Sequence, residues 1–159
     1  MITKQVGKWR ERSAQLRNEK GELRILKTRE NQANKYMQIL TEQNDFPLDE
    51  ILSEYSNRED LLNIERAVLA IAFLRNDDSH RAEKEFLSLY EQDEIFVPLQ
   101  ILCLKNLLYC LLLHNKRDDF AAIYEELSGE ESRDKEVIQL YHIYDQGGDL
   151  SQKGGYCQI

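Results

Sequence analysis

Hydrophobic residues along this chain recur at intervals of three and four, the spacing of one helix face, and rarely alternate as a strand would require. Ala33, Tyr36, Met37 and Leu40 make one such stripe, at the end of a polar, proline-free stretch running from Thr3 to about Asn44 and interrupted only by Gly21. This stretch predicts one or two long helices, the first half loosely attached to the body. Val6, Trp9, Leu16 and Leu23 share a stripe there, but Ser13, Lys20 and Lys27 hold its other positions. A coiled coil needs apolar residues at both seam positions over several heptads, and this seam is too polar.

Beyond Asn44-Asp45-Phe46-Pro47, a predicted turn, Leu48, Ile51, Leu52 and Tyr55 mark a short helix opened by the proline. Ser56 and Glu59 have capping-box spacing, which predicts a helix start there. That helix carries a wide apolar arc from Leu61 to Phe73 and ends at Asn76-Asp77-Asp78-Ser79, which caps the next. Ala82, Phe86, Leu89 and Tyr90 form the following stripe. Phe96-Val97-Pro98 opens a helix, apolar nearly all round, through about His114. Phe120, Ile123, Tyr124 and Leu127 mark another, stopped at Ser128-Gly129. A last one runs from about Ser132 through Val137, Leu140, Tyr141 and Tyr144 to Gly147-Gly148.

The fold class is therefore all-α, in antiparallel hairpins. Three regions follow: a basic helical arm at 1–44, a helical-hairpin domain at 45–146, and a glycine-rich mobile tail at 147–159. Within residues 58–146 the segment Arg66-x-x-Leu69-Ala70-x-x-Phe73 followed by Ala82-x-x-x-Phe86 resembles the tetratricopeptide repeat. A second copy reads Leu107-x-x-Cys110-Leu111-x-x-His114 with Ile123-x-x-x-Leu127, its anchor Ile123 lying 41 residues after Ala82. Arg66 stands where the family has tryptophan, and the family's proline has no counterpart. The resemblance implies a tetratricopeptide-like array, or an irregular bundle of similar hairpins, that binds peptide or protein segments in a concave groove.

Composition narrows the class. Of 159 residues, 42% are hydrophobic and 31% charged, a globular balance. No apolar run approaches the roughly 20 residues of a membrane span. The amino terminus has no apolar signal region, and three cysteines make no disulfide framework, so the expected compartment is the cytoplasm.

Candidate chemistry is sparse. Phosphate-binding glycine loops, nucleophile elbows and zinc or calcium motifs are missing. Cys103 and Cys110, seven apart on an apolar helix, read as core rather than as metal ligands, and His114 could pair with one of them only through the fold. Acidic pairs such as Asp77-Asp78 and Asp118-Asp119 sit where first-turn carboxylates stabilise helices. The expectation is a non-enzymatic chain with no catalytic residue, metal or cofactor.

Charge is uneven. Residues 1–44 hold ten Lys/Arg against five Asp/Glu, a net of +5, and residues 45–159 hold eleven against twenty-four, a net of −13. The favoured function is a protein–protein interaction module. Arg66, Arg75, Tyr90, Lys105, Asn106 and Tyr109 are the candidate partner contacts, being polar or aromatic groups on otherwise apolar helices. The alternative is an acidic immunity or antitoxin-type protein that masks a basic nuclease. Nucleic acid is a third partner class, through the basic arm, although Trp9 is its only aromatic before Tyr36.

Overall fold

The computed structural model describes residues 2–42, 47–92 and 97–147, with side chains from residue 19 onward except residue 41. The predicted turn at 43–46, Phe96 at the predicted helix start, the predicted tail beyond 147, including Cys157, and the arm side chains before residue 19 lie outside this description. Among the described residues there are eight helices and no strand: α1 (Ile2–Glu42), α2 (Leu48–Tyr55), α3 (Asn63–Arg75), α4 (Ser79–Tyr90), α5 (Val97–Leu113), α6 (Arg117–Glu125), α7 (Glu130–Arg133) and α8 (Lys135–Asp145). The chain is all-α, and no described helix is long and apolar enough to cross a membrane.

The amino-terminal stretch is one helix, whose 41 residues span about 60 Å. Its two halves differ. Ala33, Tyr36 and Leu40 are buried in the core, whereas Leu23 and Ile25 are 64% and 62% exposed. Polar ties fix the buried half. Arg29 donates to Glu65 Oε1 at 2.6 Å and to the Asp60 carbonyl at 2.8 Å. Arg75 donates to the Leu40 carbonyl at 2.8 Å. Residue 29 thus meets the start of α3 and residue 40 its end, so the later part of α1 runs parallel to α3.

The start of α3 differs from its sequence expectation. Ser56 donates instead to the Leu52 carbonyl at the end of α2, and α3 begins at Asn63. Glu65 accepts from the Leu62 amide at 2.9 Å, satisfying one of the donors that a helix start leaves open. Glu65 is only 1% exposed. A carboxylate this buried requires a partner, which the Arg29 guanidinium supplies.

The body is a run of antiparallel helices. Arg66, early in α3, lies 3.4 Å from Ser88, late in α4. The α3–α4 and α5–α6 turns share one hydrogen-bond pattern. Asp78 N–H donates to the Phe73 carbonyl and Asp77 N–H to Leu74; Lys116 N–H donates to Leu111 and Asn115 N–H to Leu112. Both are Schellman closures with a left-handed residue, Asp77 at φ 59° and Asn115 at φ 57°. The two hairpins therefore repeat at a 38-residue offset, which aligns Ala82 with Phe120 and Val68 with Asn106.

Phe86, Leu89, Leu104, Leu107, Leu108 and Leu140 are fully buried. Each such side chain contributes roughly 1.5–3 kcal/mol on leaving water. The last predicted helix is broken in two: Asp134 ends α7 and caps α8, accepting from Glu136 N–H at 3.0 Å and Val137 N–H at 3.2 Å.

Candidate functional site

A groove of about 620 Å³ opens between α1, the start of α3 and the start of α5. Met37, Leu62, Ile64, Leu99 and Leu102 make its lining mainly apolar. Asn34 on α1 and Asn63 at the first turn of α3 also line it. Neither carboxamide has a hydrogen-bond partner among the described residues, so each offers two donors and an acceptor to whatever enters. Glu30 is the charged group of the lining. On α1, Glu30, Asn34 and Met37 lie at helical spacing, in line with Leu23 and Leu26. The groove wall thus continues into an exposed apolar strip.

The six predicted contact residues lie elsewhere, and none lines this groove. Arg66 and Arg75 bridge helices, to Ser88 and to the Leu40 carbonyl. Tyr90 is half-buried, and burial raises its phenol above the usual range, assisted by Glu131 and Glu126. Lys105 pairs with Glu136 at 3.5 Å and is 13% exposed. Tyr109 is buried. Asn106 is fully buried; its amide donates to the Leu102 carbonyl at 2.8 Å, and its Oδ1 has no partner among the described residues. A buried, unpaired carbonyl oxygen is a standing cost in a native core.

A second polar constellation forms where the end of α5 meets the start of α4. His114 Nδ1 lies 2.8 Å from Glu83 Oε1, and its Nε2 lies 2.8 Å from Ser79 Oγ. Lys116 donates to Glu83 Oε2 at 2.6 Å. The His80 ring stacks on His114, centroids 4.0 Å apart and planes within 6°. Burial alone would raise the Glu83 pKa, but hydrogen bonds from Lys116 and His114 outweigh it and hold the carboxyl below its usual value. An ionised carboxylate only accepts, so His114 Nδ1 carries the proton that faces it. In the neutral ring Nε2 is then left to accept from the Ser79 hydroxyl.

Sequence reading noted these histidines one at a time. Ser79 and Glu83 lie 35 and 31 residues from His114, and only the antiparallel pairing of α4 with α5 brings them together. The pairing of a cysteine with His114 does not form: that ring faces Ser79 and Glu83, and burial pushes the Cys103 and Cys110 thiols up to about 12. Among the described residues no group of three or more His, Cys, Asp or Glu side chains is placed to hold a metal ion. Comparison with known protein families, curated proteins and solved structures finds no match to this chain.

Proposed function

We propose that the chain is a protein-binding module whose groove between α1, α3 and α5 receives an extended, apolar segment of a partner protein. One observation carries this reading: two carboxamides, Asn34 and Asn63, without a partner among the described residues, in the wall of a mainly apolar groove that also holds Glu30. An extended peptide presents backbone N–H and C=O groups that lose water on docking and need replacement partners. Side-chain amides supply both functions, while Leu99, Leu102 and Met37 take up apolar side chains of the ligand. Glu30, the charged group of the lining, favours a segment with a basic residue beside its apolar ones. Free, buried Cys103 and Cys110 suit a reducing compartment, which supports a cytoplasmic setting.

Panning a random peptide display library on the full chain and on the Asn34→Ala/Asn63→Ala double variant tests the reading. Peptides enriched on the wild type should be apolar with flanking Lys or Arg. They should bind the variant about tenfold or more weakly, since each lost hydrogen bond is worth about 1 kcal/mol. Peptides that bind both proteins equally, or no enrichment at all, would overturn it. A Met37→Glu variant, which places a carboxylate among the apolar lining, should abolish binding while keeping the helical signal.

A further inference from the structure

We propose that Ser79, His114 and Glu83 form a second, separate site that hydrolyses small acyl esters through a covalent acyl-Ser79 intermediate. None of the three lines the groove, so this inference is independent of peptide binding. The arrangement supplies what acyl transfer needs, in the required order: a hydroxyl nucleophile, an imidazole base 2.8 Å away, and a carboxylate 2.8 Å from the other ring nitrogen. Roles follow from geometry rather than from chain order, which differs among unrelated enzymes built on this constellation.

Three features hold the arrangement ready. Glu83 is tied on its second oxygen by Lys116, so its first stays aimed at the imidazole. His80, stacked on His114, fixes the plane of the ring. Both His114 and Glu83 are largely shielded from water, at 7% and 12% side-chain exposure. Ser79 is the first residue of the twelve-residue helix α4. The cap Asp78 takes the Arg81 amide, and the Ser79 and His80 N–H groups have no partner among the described residues. These two amides, on the nucleophile and on the residue after it, are the donors available to a developing oxyanion.

In the first half-reaction Ser79 Oγ bonds to the acyl carbon as its proton passes to His114 Nε2. The ester C–O bond then breaks, and the leaving alcohol takes that proton. In the second half-reaction a water molecule gives a proton to Nε2 and attacks the acyl carbon. The carboxylic acid leaves and the proton returns to Ser79. Ser79 and His114 are the catalytic residues, and Glu83 is a positioning residue. Ser79 opens α4 directly after the turn from α3, and short acyl groups such as acetyl and butyryl are the substrates we assign to it.

The test uses the full chain with a fluorophosphonate probe, the adduct located by mass spectrometry, and with 4-nitrophenyl acetate for turnover. One equivalent of probe is expected on Ser79. Ser79→Ala should lose the adduct and lower ester hydrolysis by about 10²-fold or more, and it deletes only a hydroxyl, so the helical signal should persist. Glu83→Gln should slow the maximal labelling rate by about tenfold or more at an unchanged half-saturating probe concentration. A purely structural tie would leave that rate alone. The proposal is overturned by an unlabelled folded chain, by an adduct on another residue, or by ester hydrolysis that survives Ser79→Ala.

Discussion

The hairpins α3–α4 and α5–α6 share one turn, with the same closing hydrogen bonds and a left-handed residue at matching positions, yet they pack differently. In the first, Ala70 and Ala82 let the helices come together, and α3 and α4 touch along much of their length. In the second, Leu108 and Phe120 stand at those positions, and contact between α5 and α6 is sparser. There Phe120 fills the space, stacking on Tyr144 at 4.7 Å between ring centroids. Arg117 adds a second tie, donating to the Tyr144 carbonyl and lying over its ring. The turn fixes connectivity, while side-chain volume sets how far the helices stand apart. The second hairpin accordingly closes α6 against α8 through Phe120, while α4 packs almost as extensively on α5 as on its own partner α3.

Exchanging those volumes should break the comparison most strongly. Phe120→Ala deletes a fully buried ring that α8 is shaped around, and it should lower unfolding free energy by about 3–5 kcal/mol. Ala82→Phe, the reciprocal change, forces a ring between helices already in contact and should cost about 1–3 kcal/mol. Urea denaturation of both variants would show it. Equal losses, or a larger one for Ala82→Phe, would mean that the close approach of α3 and α4 matters at least as much as the filled interface of the second hairpin.

Much of this architecture is legible in the chain. Stripes such as Ala33-Tyr36-Leu40 and Ala82-Phe86-Leu89 identify buried faces because only one face of each helix meets the core. The Asn76-Asp77-Asp78 turn reads correctly because short polar side chains tolerate the left-handed backbone. The start of α3 misleads, because Leu62 is no capping residue and its amide is satisfied by Glu65, which is held in turn by Arg29 from 36 residues away. The 38-residue offset is hidden because the matching core positions differ in size. Ser79, Glu83 and His114 stay hidden for another reason: each is ordinary in its own helix, and only the stacking of α4 on α5 joins them. The groove is equally a product of topology, since α1, α3 and α5 are far apart in sequence.

Asn106 tests a second difference between the hairpins, with an effect of opposite sign. Its counterpart in α3 is Val68, also fully buried. The Asn106 amide donates to the Leu102 carbonyl, one turn back in the same helix, which already accepts the helical N–H of residue 106; Oδ1 has no partner among the described residues. Asn106→Val removes the unpaired oxygen and strands no other group. It should raise unfolding free energy by about 1 kcal/mol, read from the urea midpoint. A loss instead would show that Oδ1 is satisfied by buried water, so that the two hairpins differ in hydration as well as in volume.

The smallest effects should arise at the shared turn itself, where glycine can replace the left-handed residue of either hairpin. Asp77 and Asn115 both adopt positive φ, a conformation glycine reaches without the crowding of a β-carbon. Asparagine tolerates that region, so Asn115→Gly recovers little, and the added freedom of the unfolded chain offsets it; the expected gain is about 0–0.5 kcal/mol. Asp77 carries a second penalty, because its carboxylate stands at the carboxy terminus of α3, where the helix dipole is negative. Asp77→Gly removes both penalties and should gain about 0.5–1 kcal/mol. Salt sharpens the distinction: the electrostatic part of the Asp77 gain should shrink as ionic strength screens the dipole, whereas the Asn115 value should not move. If both variants gain equally and neither responds to salt, the two turns are energetically the same, and the whole difference between the hairpins lies in the side chains packed between their helices.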